Sequence, residues 1–150
     1  MTNEDLINLA VSNPSTFTNL ELDYISNFVE DEEQAISWVK FVGLFHDRME
    51  RYISSEESKA KFARYVPDKD KKKRLRNQVV NDDFSAFIWG LHVPEDRDKV
   101  RDQVRSPSWV YQWAKLIGDA EEMIERVDSE YWKGKIRSDA MGEDVSFHHF

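Results

Sequence analysis

The feature that most limits what this chain can fold into is a spaced series of large aromatics. Trp38, Phe62, Trp89 and Trp113 each stand nine positions after an apolar residue and five before Gly or Pro. The apolar anchors Val29, Ile53, Val80, Val104 and Val127 are 24, 27, 24 and 23 residues apart. Beyond each aromatic come Phe41 and Val42, Tyr65 and Val66, His92 and Val93, or Leu116 and Ile117, and then the breaker Gly43, Pro67, Pro94 or Gly118. Agreement at five positions in four segments is the mark of an internal repeat, and a repeat decides the fold before any single element does.

Each unit reads as two helices. Acid, Ser or Pro residues after the anchor supply a cap and a favourable first turn, as in "RSPSW", where Ser106 can cap and Pro107 takes the first helical position. Apolar residues at +6 or +7, +9, +12 and +13 from the anchor then fall on one helical stripe. Gly or Pro ends this first helix, and "LFHDRMERYI", "DKDKKKRLRNQVV", "EDRDKVRDQV" and "DAEEMIERV" follow as shorter second ones. Upstream, "NEDLINLAV" reads as a terminal capping helix, and "ELDYISNFV" as a second helix opened by Thr18 and Glu21 at capping-box spacing. Downstream, "VDSEYWKGKI" starts a fifth unit but loses the apolar pattern, so the chain is expected to fray from about Gly134.

Helical repeats cannot bury an apolar stripe alone and must stack on neighbours. The expected architecture is all-α: a short α-solenoid of four to five antiparallel helix pairs over residues 1 to 133, with an N-terminal capping helix and a frayed C-terminal tail over 134 to 150. The run "WVYQWAKLIGDAEEMI" resembles the two-helix units of HEAT-like repeat solenoids, shortened to about 24 residues, and is also similar to repeats of phage and bacterial proteins. That resemblance, over residues 29 to 132, implies a recognition scaffold and carries no catalytic residue. The spacing of 27 and the Lys, Ser and Ala at stripe positions after Ile53 depart from its pattern.

Charge is unevenly placed, which bears on partners more than the net value of −8 does. Residues 1 to 33 hold eight acids and no Lys or Arg, whereas residues 59 to 76 hold nine bases against two acids. With no cysteine, a disulfide framework, a thiolate metal site and a cysteine nucleophile are excluded. The N-terminus has acids where a signal peptide needs bases, and no apolar run approaches membrane-spanning length. A cytoplasmic protein without membrane contact is expected.

Chemistry-bearing patterns are sparse. His46 and Glu50 have i, i+4 spacing without further ligands, His92 occupies an apolar stripe slot as a half-buried histidine, and His148 and His149 fall in the expected tail. No nucleophile elbow, phosphate-cradling glycine loop or zinc-protease signature occurs, so no catalytic residue, metal or cofactor is assigned. Trp109 and Trp132 differ from the stripe aromatics. They occupy the +5 slot, which holds Gln34, Ser58 and Ser85 elsewhere, and so are candidates for an exposed apolar contact patch.

Three functional readings follow. The first is a non-catalytic protein-binding module, monomer or homodimer, with Trp109, Trp132, Glu30, Asp31, Glu32 and Glu33 as contacts. Its special case is an acidic inhibitor that occupies a basic groove on a target protein. The alternative is a nucleic-acid binder using Lys69, Lys71, Lys72, Lys73, Arg74 and Arg76, with Lys40, Arg64 and Lys115 as a ridge at +11. An enzyme with no recognisable motif is the third reading.

Overall fold

Helix starts follow the caps written into the sequence. Thr2 and Thr18 accept from the backbone N–H three residues on, and Asp5 and Glu21 accept from the cap residues' own N–H groups. Two complete capping boxes thus open α1 (Asn3–Ser12) and α2 (Asn19–Ser26). Asp31, Ser55 and Asp82 cap α3 (Glu32–Phe41), α5 (Glu56–Ala63) and α7 (Asp83–His92) through their side chains.

The computed structural model describes residues 1 to 143 and is all-helical, with no strand among them. The second helices are α4 (His46–Glu50), α6 (Lys69–Val79), α8 (Arg97–Val100) and α10 (Ala120–Ile124), of which α6, at 11 residues, is longer than the 8-residue α5 before it, against the expectation of a shorter second helix. Around α8 the expected helix is broken into pieces, with 3-10 turns at Pro94–Asp96 and Arg101–Gln103. The last long elements are α9 (Pro107–Leu116) and α11 (Glu130–Asp139).

Two of the breaks need left-handed backbone. Gly43 (φ 77) and Gly118 (φ 137) end α3 and α9, and left-handed Phe45 and Asp119 then lead into α4 and α10. In both, the glycine N–H turns back to the carbonyl of the aromatic five residues earlier, Trp38 or Trp113.

Contacts cluster into two compact units, Met1–Val79 and Val80–Phe150, where the sequence is read as one domain. The first unit ends with the most polar helix of the chain, α6, in which Leu75 and Val79 are the buried residues. Within it α1 packs on α2 and α3, α3 on α4 and α5, and α5 on α6. Within the second unit α7 packs on α8 and α9, and α9 on α10 and α11.

The spaced aromatics are core: Trp38, Phe62, Trp89 and Trp113 are all 0% exposed. Loss of such a ring typically costs about 3–5 kcal/mol. The anchors Val29, Ile53, Val104 and Val127 are buried with them. Position +12 behaves otherwise, since Phe41 is 51% and Leu116 55% exposed. At about 100° per residue, +6, +10 and +13 lie to one side of +9, whereas +12 lies about 60° to the other. Positions +9 and +10 are buried in all four segments, +6 and +13 flank them with Lys59, Val42 and Ile117 only half-buried, and +12 falls off the edge.

The C-terminal expectation also needs correcting. Helix α11 runs through Gly134 to Asp139 and buries Ile136 completely, because Ser129 caps it and the Tyr111 hydroxyl donates to the Asp139 carboxylate. His148 and His149 lie outside the described residues.

One close approach shows how tightly the second unit is packed. A Cβ built on Gly90 in α7 would lie 2.4 Å from the Trp113 ring, so the indole of α9 uses the space that a side chain would fill. Gly134, in α11, has nothing within 4 Å of such a Cβ. Gly90→Ala should therefore destabilise the protein by about 1–3 kcal/mol. Gly134→Ala should stabilise it by about 0.4–1 kcal/mol, both read from urea unfolding midpoints.

Candidate interaction surface

The acids of the N-terminal segment are mostly unneutralised. Of the eight in residues 1 to 33, Asp23 alone has a cationic partner among the described residues, Arg48 at 2.7 Å. Asp5 and Glu21 are held below the ordinary carboxylate range by the backbone and hydroxyl hydrogen bonds of their capping boxes. They stay ionised at neutral pH.

Three acidic residues line one groove. Glu4 comes from α1 and Asp31 and Glu33 from the start of α3; the groove holds about 160 Å³, and its other walls are Ile7, Asn8, Val11, Gln34 and Ser37. Glu30 is exposed beside it, its backbone N–H donating to Gln34 Oε1. The expected acidic contacts Glu30, Asp31 and Glu33 thus share one exposed face, and Glu4 joins them through the packing of α1 on α3.

Glu32 serves a different purpose. Its carboxylate accepts from the Ser54 and Ser55 backbone N–H groups and from the Ser54 and Ser58 hydroxyls, tying the start of α3 to the start of α5. Those donors hold its pKa at about 2 against an ordinary 4.5. An equivalent bond joins α7 to α9, where Asp83 accepts from the Ser106 N–H and hydroxyl. Ser106 therefore makes no side-chain cap on its own helix and is spent on its neighbour.

The basic segment is largely engaged. Lys71, its side chain 9% exposed, sits between Asp47 and Glu50, and Arg74 donates to Glu50 at 3.0 Å. Lys72 and Arg76 interact with neighbouring groups as well. Lys69 and Lys73 stand exposed and make no ion pair among the described residues. The +11 cations Lys40, Arg64 and Lys115 are exposed, each over a ring of its own helix region: Phe41 at 5.0 Å, Tyr65 at 5.5 Å and Tyr111 at 5.8 Å.

Trp109 and Trp132 are half-buried. Trp109 packs against Phe84 and Phe87 of α7, with ring centroids 5.0 and 5.3 Å away, and Trp132 against Tyr111 of α9 and Tyr131, at 5.7 and 5.1 Å. The +5 slot thus faces the preceding long helix, and internal packing covers part of each indole, beside Phe84 and Tyr131, which are themselves 44% and 64% exposed.

His46 is also structural in setting. Its Nε2–H donates to the Tyr65 carbonyl at 3.1 Å, and burial is the main cause that lowers its pKa below the ordinary value. It lines a groove of about 590 Å³ with Arg48, Arg51, Lys71, Asp47 and Asp68, a mixed-charge setting. No group of three or more metal-ligating side chains forms among the described residues, and no helix there is long and apolar enough to cross a membrane.

A second groove escaped the sequence reading. Leu6, Phe17, Leu20, Glu21, Tyr24 and Ile25 enclose about 380 Å³ between α1 and α2. Its signal is present in the chain: α2 buries Leu22 and Ile25 on one side, while Leu20 and Tyr24, four apart, form an apolar pair on another. The chain matches no family model, no curated protein and no solved structure.

The Glu32 bonds imply an acid-labile joint. A carboxyl whose folded pKa lies below its unfolded one adds stability that is complete above about 4.5 and is lost as pH falls toward about 2. Glu32→Gln should lower unfolding free energy at neutral pH by about 1 kcal/mol, since the group stays near solvent. The gap between variant and wild type should narrow in urea titrations stepped from pH 5 to about pH 2.5.

Proposed function

We propose that the chain is a non-catalytic protein-binding module, a short α-solenoid of helix-pair repeats whose acidic N-terminal face engages a basic surface on a partner protein. The observation that carries this reading is the groove of Glu4, Asp31 and Glu33, three carboxylates with no cationic partner among the described residues. Unpaired like charges on one face raise the local potential and steer a cationic partner toward it. An inhibitor that fills a basic groove of its target is the form of this function that best uses such a face. Glu32 is left out of the contact set, because Ser54, Ser55 and Ser58 already occupy its carboxylate, while Trp109 and Trp132 stay in it through the part of each ring left open.

Nucleic-acid binding is the weaker reading. Lys71 and Arg74 would have to leave Asp47 and Glu50 to reach phosphates, which reduces the basic segment's footprint and leaves Lys69, Lys73 and the +11 cations Lys40, Arg64 and Lys115 to make the contact.

Affinity capture from a host lysate at low and high salt, with wild type beside a Glu4→Lys, Glu33→Lys variant, tests the proposal. A stoichiometric protein should be retained by wild type at low salt and lost from the variant. Duplex DNA or RNA bound at about 0.15 M salt, and released by Lys69→Ala with Lys73→Ala, would overturn it in favour of the phosphate reading.

A further inference from the structure

We propose that the apolar groove between α1 and α2 is a docking site for an amphipathic, basic helix of a partner protein, with a large apolar side chain of that helix seated between Leu20 and Tyr24. The inference rests on the protein-binding reading above and supplies the chemistry of the partner.

The groove is apolar where a soluble surface is ordinarily mixed. Leu20 is 83% and Tyr24 64% exposed, and half-buried Leu6 and Phe17 complete the walls with buried Ile25 as the floor. Tyr24 is braced by an edge contact with Phe28 at 5.2 Å, so the outer wall is positioned before anything binds. Apolar side chains gathered in a concave site mark a contact surface, whereas scattered ones do not. A groove between two helices is the shape that receives the apolar face of a third.

Charge selects the occupant. Glu21 lines the groove, and its capping box keeps it anionic. No Lys or Arg lines the groove, and the first 33 residues contain none that could offset Glu21. A segment with acids flanking its apolar face would meet like charge here, and a neutral one would leave the rim uncompensated. Lys or Arg beside an apolar anchor satisfies both parts of the site, with the cations set on the rim and the anchor desolvated inside it.

The groove is distinct from the acidic one between α1 and α3, which carries the general affinity for cations. Leu6 belongs to the first, and Glu4, Ile7, Asn8 and Val11 to the second. The two can be tested apart.

The probes are three labelled peptides of about 15 residues, long enough for four helical turns: leucine with lysine in an amphipathic pattern, leucine with glutamate, and serine with lysine. Fluorescence anisotropy at about 0.15 M salt reads binding to the full chain, to a Leu20→Gln, Tyr24→Gln variant and to a Glu4→Lys, Glu33→Lys variant. Both glutamine sites are exposed, and circular dichroism checks that the helices persist. The leucine–lysine peptide should bind wild type most tightly and weaken about tenfold or more on the glutamine variant, the loss expected for one buried leucine-sized anchor. Serine–lysine binding should be unchanged by those glutamines. Equal affinity of the leucine–lysine peptide for wild type and the glutamine variant would overturn the groove proposal. So would equal binding of the leucine–glutamate peptide, or self-association in sedimentation that the glutamines abolish, which would assign the groove to a second copy. Serine–lysine binding that depends on Glu4 and Glu33 would leave the broader reading standing in those cases. If no lysine peptide binds at all, that reading fails with it.

Discussion

A buried indole N–H without an acceptor costs about 1–3 kcal/mol, and this chain buries three of them completely. Each is satisfied from just beyond the break that ends its own helix. Trp38 Nε1 donates to the Leu44 carbonyl at 3.2 Å, Trp89 to Asp96 at 3.0 Å and Trp113 to Asp119 at 3.3 Å. The ring therefore does two things: it fills the core, and it holds the chain's return after Gly or Pro. Besides that bond, Asp96, 3% exposed, is paired with Lys99, and the left-handed Asp119 with Arg101. The Ile53 segment has Phe62 instead, which asks for no acceptor, and there Pro67 restricts the turn.

Neighbouring segments are joined by charge as well as by packing. Lys71 and Arg74 reach Asp47 and Glu50 in the first unit, and in the second Arg101 reaches Asp119 and Glu122 while Arg126 reaches Asp102. In the Lys71–Asp47, Arg101–Glu122 and Arg126–Asp102 pairs the cation is largely covered and the acid at least half open to solvent; pairs screened in that way contribute about 0–1 kcal/mol each, so their effect is more to neutralise than to stabilise. The contrast they create matters for function. Lys71, Arg74, Arg101 and Arg126 are matched to acids, while the acids of the first 33 residues have almost no bases to meet. A molecule that neutralises one set of charges and leaves another exposed presents the unmatched set to a partner.

Properties set by local periodicity were legible in the sequence. The all-helical class, the capping box of Thr18 with Glu21, the breaks at Gly43 and Gly118 and the burial of Trp38, Phe62, Trp89 and Trp113 all depend on residues within about two turns of one another. What depends on a neighbour some 24 residues away was not legible. Glu32 reads as one more surface acid until Ser54, Ser55 and Ser58 are brought to it, and Trp109 reads as an exposed extra until Phe84 and Phe87 are beneath it. Gly134 resembled an end to order, yet a cap at Ser129 and a buried Ile136 hold the helix through it. The apolar groove was missed because attention to one stripe of α2 hides Leu20 and Tyr24 on another.

Indole hydrogen exchange, followed residue by residue by nuclear magnetic resonance, tests the role of the spaced tryptophans most directly. The Nε1–H groups of Trp38, Trp89 and Trp113 should exchange slowly, through opening of the unit that contains each, and those of half-buried Trp109 and Trp132 much faster. Rapid exchange at Trp38, Trp89 or Trp113, or protection of Trp109 and Trp132 equal to theirs, would contradict the account.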